Sequence, residues 1–391
     1  MRAARRDVLG MGLGASAMAL AGEAAAVAIA GADPRIKALA ALAAGLVRDG
    51  HSAGVQIGVA VEGRKPFVAG YGSANLETGT PVSPGSVLRI ASCTKQFTAA
   101  AILLLAERGK LALDQPIEAF FPGFPKGDQV TAHQLLTHTS GLHDYVYGGM
   151  PADAAGEWQR DPDRHRFLAK MAQPFDFEPG TYWSYSNSGY ALLGELIEKL
   201  SGKSYAQFVH ASLIEPAGME FTALDEPGDV VPGRAAGYSL DADRPGAFRN
   251  AFWGGLPIAE GGLRSTTLDL LRWNAALFGE RILSRASLDR MTAPARVKDG
   301  RPVGEAHFAP PGQNPGKPPA FVSEPNYGCG LEVCRMFGRR VIWHSGGIRG
   351  FNALLFHFAD DGLDLALLSN TDNGLVTAFE AFLRAATGGP R

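Results

Sequence analysis

Residues 353–368 read ALLFHFADDGLDLALL, two apolar runs on either side of Asp361-Gly362. Short apolar runs flanking a turn dipeptide are the signature of a β-hairpin, because Asp-Gly accepts the backbone angles that a tight reversal needs. Upstream, residues 340–343 read as a further strand, and downstream residues 375–386 read as a closing helix. The front of the chain follows the same grammar. Ile36, Leu39, Leu42 and Leu46 recur at helical spacing up to Asp49-Gly50. Residues 55–61 then read as a strand, Gly63 as a turn and residues 67–71 as the partner strand. The expected fold class is α+β: an antiparallel sheet flanked by helices, built from both chain ends, 33–75 and 325–391.

Between the ends, residues 76–324, the pattern turns mainly helical. Residues 94–108 are rich in Ala and Leu and stop at Gly109. Thr131, with Gln134 three positions on, is a capping box for a short helix. Residues 190–200 and 268–277 are two more helical segments. Pro and Gly dominate residues 300–326, which read as a long surface loop. A helical domain inserted into a sheet domain leaves a crevice between them, where sites commonly lie.

The 391 residues are 46% hydrophobic and 19% charged, which excludes a disordered or coiled-coil chain. Lys plus Arg number 37 against 39 Asp plus Glu, so no basic excess points to nucleic acid. Three cysteines make no disulfide framework. Residues 1–32 stand apart. Arg2, Arg5 and Arg6 precede an apolar stretch broken only by Glu23, and small-residue triplets precede Asp33-Pro34. That is the layout of an export signal, and the Arg5-Arg6 pair suits a twin-arginine leader. The expected location is the periplasm or the exterior. An uncleaved leader would be the chain's one membrane contact.

Two serine motifs compete. Gly50-His51-Ser52-Ala53-Gly54 matches the G-x-S-x-G nucleophile elbow. An elbow needs a strand entering and a helix leaving, and here a helix enters and a strand leaves. Ser92-Cys93-Thr94-Lys95 opens a helix instead. Positions i and i+3 share a helix face, so Lys95 sits beside Ser92, and the helix N-terminus favours an anionic intermediate. A serine hydroxyl becomes a nucleophile once a neighbour takes its proton, and a desolvated lysine loses its charge and does so.

Further phrases follow in order: Leu135 to Leu142, LLTHTSGL; Glu178-Pro179-Gly180; Tyr185-Ser186-Asn187; Gly261 to Thr266, GGLRST; and His344-Ser345-Gly346-Gly347. With Ser92-Cys93-Thr94-Lys95 this set resembles the penicillin-recognising serine hydrolases: class C β-lactamases, D-alanyl-D-alanine carboxypeptidases and the related esterases and D-aminopeptidases. The resemblance spans about residues 34–388. It implies a β-lactamase/transpeptidase-like fold and a Ser92 nucleophile that forms an acyl-enzyme. Lys95 and Tyr185 would be the proton carriers, with the initial base left open. Asn187 would bond Lys95 and the substrate amide. His344, Ser345 and Gly346 would line the substrate strand, and the backbone N–H groups of Ser92 and Gly347 would form the oxyanion hole. No cofactor and no metal are implied, and the partner is a small-molecule or peptide substrate.

One departure matters. Class C β-lactamases carry Lys-Thr-Gly where this chain has His344-Ser345-Gly346. Lysine offers a substrate carboxylate a permanent charge, whereas an ordinary histidine is mostly neutral above its pKa of about 6.5. Efficient β-lactam hydrolysis is therefore not expected. If His344 faces the cleft, its protonation should set the attraction for such a carboxylate. His133, His138 and His143, spaced by five, turn away from one helix face and suggest no metal. Tyr145, Tyr147, Trp183 and Trp253 are candidates for the cleft wall. The sequence thus reads as an exported serine hydrolase. Its rivals are an α/β-hydrolase-type esterase using Ser52 and a non-catalytic module that captures a peptidoglycan fragment or a penicillin.

Overall fold

The computed structural model describes residues 33–150, 158–244, 246–251, 257–309 and 317–388. The expected leader at 1–32 and Trp253 lie outside the described residues. The centre is an eight-stranded sheet, antiparallel throughout, in the order β3-β2-β1-β13-β12-β11-β10-β9. The front contributes β1 (Gly54–Val61), β2 (Phe67–Asn75) and β3 (Thr80–Pro81). Between them β4 (Leu88–Arg89), β5 (Ala223–Leu224) and β8 (Leu263–Ser265) form a small three-stranded sheet, and β6 (Tyr238–Leu240) pairs with β7 (Phe248–Asn250). The back contributes β9 (Val322–Tyr327), β10 (Glu332–Met336), β11 (Arg339–Ile348), β12 (Phe351–Phe358) and β13 (Leu363–Ser369). β1 and β13 pair directly, Val55 opposite Ser369 through Val61 opposite Leu363, and this closes the two ends into one sheet.

Both faces of the sheet are covered, which is why the strands are apolar almost without interruption. On one face Val55, Ile57 and Val59 join Leu354, Phe356, Phe358, Leu363, Leu365 and Leu367. Against them pack helix α1 (Pro34–Arg48), through Ile36, Leu39, Ala43 and Leu46, and the closing helix, through Phe382, Leu383 and Ala386. The alternate residues, among them Ala353, Leu355, Ala366 and Leu368, face the large helical core. That core gathers α2 (Lys95–Glu107), α3 (Ala132–Leu136), α4 (Asn187–Ser201), α5 (Thr267–Leu277) and several short helices. The last helix, α6, spans Phe379–Thr387. Thr131 and Gln134 form the expected capping box at the start of α3.

Two readings from the sequence change. The Pro- and Gly-rich stretch ends at Val322, where β9 begins, rather than running as loop to Asn326. β9 is an edge strand, where Pro325 removes no ladder hydrogen bond that the sheet needs. The expected strand at 340–343 extends through Gly347 to Ile348, so the His344-Ser345-Gly346-Gly347 phrase lies within the sheet.

The helical layer is locked to the sheet by Gln56. Its amide donates to the carbonyls of Ser83 (2.6 Å) and Ser86 (3.0 Å) and accepts from the backbone N–H of Thr267 (2.6 Å) at the start of α5. Beside it, Gly58 lets α5 approach closely, since a Cβ there would lie 2.9 Å from the Thr267 Cβ. Gln56→Leu leaves these buried groups without partners, each worth about 1–3 kcal/mol. Urea unfolding of Gln56→Leu should show a midpoint shifted down by more than twice the shift of a surface substitution. An unchanged midpoint would mean Gln56 carries no such link.

Candidate active site

The Ser92 turn is built on strained backbone. Ala91 has a positive φ of 45°, uncommon for a residue with a Cβ. The strain is held from both sides: Ile90 N–H bonds the Leu263 carbonyl (3.0 Å), and the Leu263 N–H bonds Thr94 Oγ1 (3.1 Å). Ala91–Thr94 form a 3₁₀ turn that runs into α2 at Lys95, so Ser92 precedes the α-helix proper.

Lys95 is fully buried. Its Nζ lies 2.6 Å from the Glu260 carbonyl, 2.7 Å from Asn187 Oδ1 and 3.2 Å from Ser92 Oγ. Burial lowers its pKa from 10.5 to about 7, against the opposing pull of Glu260 and Asp144. Two of the three partners can only accept hydrogen bonds; the third is a hydroxyl that can also donate. A neutral amine has two N–H groups and one lone pair. It satisfies both acceptors and turns the lone pair toward Ser92 Oγ–H.

Tyr185 completes the cluster. Its ring lies 4.8 Å from Lys95 Nζ, and the Ser92 side chain is near enough to act on its phenol. Burial holds the phenol well above its ordinary pKa, so it carries its proton. The Tyr185-Ser186-Asn187 segment is seated by His138. His138 lies at a positive φ of 59°, its ring 4.4 Å from that of Tyr185. Ser186 N–H donates to His138 Nδ1 (3.1 Å), and Ser184 N–H to the His138 carbonyl (3.0 Å). Burial keeps the imidazole neutral, which leaves Nδ1 free to accept.

Strand β11 runs beside this turn. A Cβ on Gly346 would lie 2.2 Å from the Ile90 carbonyl and 3.2 Å from Ser92 N, so the close approach requires glycine. At Gly347 the corresponding space is open. Cys93 Sγ donates to the His344 carbonyl (3.3 Å), tying the turn to the strand. Asn352 Nδ2 donates to the Gly346 carbonyl (2.8 Å), while Asn352 Oδ1 accepts from Leu375 N–H (3.1 Å).

His344 does not fit the expectation of a chargeable residue facing the cleft. It is buried, and desolvation with the nearby Lys95 lowers its pKa to about 3. Its Nδ1 is 2.5 Å from the Ser345 carbonyl, which needs a proton on Nδ1; Nε2 then accepts from the Tyr327 hydroxyl at 2.9 Å. Ser52 is buried in a turn, bonded to the Gly54 carbonyl (2.9 Å) and to Ser369 Oγ (2.7 Å), with no histidine bonded to it among the described residues. That is a structural serine. Tyr147 is exposed, whereas Tyr145 bonds the Glu260 carboxyl (2.9 Å). All three cysteines are free and buried.

Asp144 carries no role in the sequence reading, and its one signal was its place just after the LLTHTSGL phrase. Its buried carboxylate accepts from Asn187 Nδ2 (2.9 Å) and from Val146 N–H (3.1 Å). This fixes the Asn187 amide with Oδ1 toward Lys95. Glu260 supplies a carbonyl to Lys95 and a buried carboxyl, raised in pKa by burial, to Tyr145. Asp163, His165 and Glu195 bring ligand atoms within 4.8 Å of one another. Their charges are already matched, however: His165 bonds Glu195 (2.6 Å), and Lys199 lies 3.5 Å away.

With this geometry the chain matches known proteins along most of its length. The Beta-lactamase family description covers residues 39–388. The chain belongs to the β-lactamase family. It is 28% identical over 323 residues to a D-aminopeptidase of Gluconobacter oxydans, covering 82% of this chain and 56% of that one. It is 31% identical over 330 residues to penicillin-binding protein 4* of Bacillus subtilis, covering 81% of this chain and 67% of that one. The chain thus spans little more than half of the aminopeptidase. Among solved structures, D-amino acid amidase from Ochrobactrum anthropi superposes with a TM-score of 0.73 at 26% identity, covering 91% of this chain and 99% of that one. An octameric penicillin-binding protein homologue from Pyrococcus abyssi gives 0.74 at 27%, covering 91% and 78%.

Asp144→Asn tests the orientation of Asn187. Loss of a charged hydrogen bond, about 1.5–3 kcal/mol, should slow acylation of Ser92 roughly ten- to a hundredfold. Removing a negative charge also favours the neutral lysine, so the acid limb of the pH–rate profile should move to lower pH. A wild-type rate with an unmoved limb would remove Asp144 from the site.

Proposed function

We propose that this chain hydrolyses an amide of a D-amino acid, or a short peptide that begins with one, through an acyl-Ser92 intermediate. The observation that carries this reading is the buried Lys95, held by two obligate acceptors with Ser92 Oγ as its third neighbour. Neutral Lys95 takes the proton as Ser92 Oγ attacks the carbonyl carbon. The oxyanion settles between the backbone N–H groups of Ser92 and Gly347. Tyr185, protonated and beside Ser92, passes a proton to the leaving nitrogen. Water then releases the acyl group by the reverse proton path. Asn187 aligns Lys95 and the substrate amide, and Ser345 and Gly346 form the strand edge along which substrate lies.

The substrate class draws on the D-aminopeptidase and D-amino acid amidase likenesses. It also fits the loss of a cation at the third motif. A neutral, buried His344 holds out no charge to a β-lactam carboxylate, so β-lactams should acylate Ser92 slowly. We further propose that residues 1–32 direct export; no helix among the described residues is long and apolar enough to cross a membrane.

A fluorophosphonate probe should label one peptide, that containing Ser92. Ser92→Ala should abolish labelling, while Ser52→Ala should keep it. Labelling at Ser52 would overturn the assignment. The labelling rate should rise with pH through about 7, as Lys95 loses its proton. A profile flat from pH 5 to 9 would contradict a lysine base. Tyr185→Phe should slow amide hydrolysis by about 10²–10⁴-fold and hydrolysis of an activated ester by less. Equal effects on both substrates would contradict Tyr185 as the proton donor to the leaving group.

A further inference from the structure

Three successive carbonyls on β11 are each held by a side chain. Cys93 Sγ donates to the His344 carbonyl (3.3 Å), His344 Nδ1 to the Ser345 carbonyl (2.5 Å) and Asn352 Nδ2 to the Gly346 carbonyl (2.8 Å). The outer two donors are unconditional. An amide always carries its hydrogens, and burial raises the Cys93 thiol to about 12, so it stays protonated. The middle donor depends on a choice. A neutral imidazole has one N–H, on either nitrogen, and His344 holds Ser345 only as the Nδ1–H tautomer. In the other tautomer two lone pairs would face each other across 2.5 Å, and the Ser345 peptide would have to turn.

Tyr327 makes that choice. Its hydroxyl lies 2.9 Å from His344 Nε2. Burial holds the phenol well above its ordinary pKa and lowers the imidazole to about 3, so the phenol keeps its proton and the imidazole takes none. The O–H therefore occupies the Nε2 lone pair and leaves the ring proton on Nδ1. The phenol ring is placed without help from its hydroxyl. It packs with Ala295, Val297, Val303, Ala306 and Trp183, and the Tyr327 carbonyl accepts from Ala295 N–H (2.9 Å). A turn of the Ser345 peptide would carry along Gly346, which lies against the Ile90 carbonyl and Ser92 N, and Gly347 after it.

We propose that Tyr327 is a positioning residue for the oxyanion hole: its hydroxyl fixes the tautomer of His344, and His344, through Ser345, fixes the strand that presents the Gly347 N–H. This deepens the acyl-Ser92 reading and rests on it. The histidine of the third motif then serves as a neutral bridge between β9 and β11, working through its tautomer and not through charge.

Tyr327→Phe keeps the ring and removes the donor. It should lower kcat about tenfold or more with KM little changed, because a misplaced oxyanion donor costs transition-state stabilisation. Unlike Tyr185→Phe, it should slow D-alanine p-nitroanilide and an activated ester alike, since both pass through an oxyanion. His344→Asn provides the control. Its side-chain amide carries an N–H toward the Ser345 carbonyl whatever its neighbour does, so adding Tyr327→Phe to it should cost nothing further. A loss of equal size in both backgrounds would reduce Tyr327 to packing and overturn the proposal. A second readout is independent of turnover: two-bond 1H–15N NMR of 15N-labelled histidine, assigned with His344→Asn. Wild type should show His344 protonated on Nδ1 alone, and Tyr327→Phe should populate the Nε2–H form. An Nε2–H form in wild type, or an unchanged tautomer in Tyr327→Phe, would also overturn it. If neither substrate is turned over yet the tautomer responds as expected, the hydrolase reading fails and the Tyr327–His344 link stands. If turnover is observed and either the tautomer or kcat ignores Tyr327→Phe, the link fails and the hydrolase reading stands.

Discussion

Burial of one amine organises this molecule. Lys95 sits where sheet and helical layer meet, and a lysine without water keeps its charge only at high cost. The fold meets that cost by letting the amine go neutral near pH 7 and by surrounding it with partners from separate segments. Asn187 opens α4, the Glu260 carbonyl precedes β8 (Leu263–Ser265), and Ser92 stands on its own turn. Each of these segments has to be placed before the amine has anything to hold. The strained Ala91, the positive φ of His138 and the glycine at 346 all lie on the backbone that does the placing.

The surroundings act by staying neutral or by being matched. His138 and His344 are both buried and uncharged; His344 uses both ring nitrogens, and His138 its Nδ1, as fixed hydrogen-bond partners rather than as titrating groups. His138 seats the Tyr185 segment, and His344 joins β11 to Tyr327. Positive charge near Lys95 is thereby avoided, while Asp144 and Glu260, both buried, moderate how far its pKa falls. Two carboxyls and two imidazoles around one lysine are a means of setting a pKa.

Much of this was legible in the sequence, for identifiable reasons. The strands covered on both faces announce themselves as apolar runs, so β1, β2, β12 and β13 could be read, as could the helices between them. β9 and β10 escaped because VSEPNY at an edge needs neither alternation nor apolar residues, and Pro325 mimics a loop. Ser92, Lys95, Tyr185 and Asn187 lie in short local motifs, and the fold brings them together. Asp144, Glu260 and Tyr327 belong to no motif; they act only through contacts across long stretches of chain, which periodicity does not encode. His344 was legible as a position but not as a chemical state, because an ordinary pKa was assumed where burial removes the charge.

The central claim is a neutral Lys95 at physiological pH. Selective 13Cε labelling of lysine with Lys95→Arg as the assignment control would allow its titration to be followed by NMR from pH 5 to 11. The account predicts a midpoint near 7, well separated from the surface lysines. A Lys95 signal that titrates near the ordinary 10.5 would contradict it, since the amine would then be an ammonium throughout the working range and would have no lone pair for Ser92.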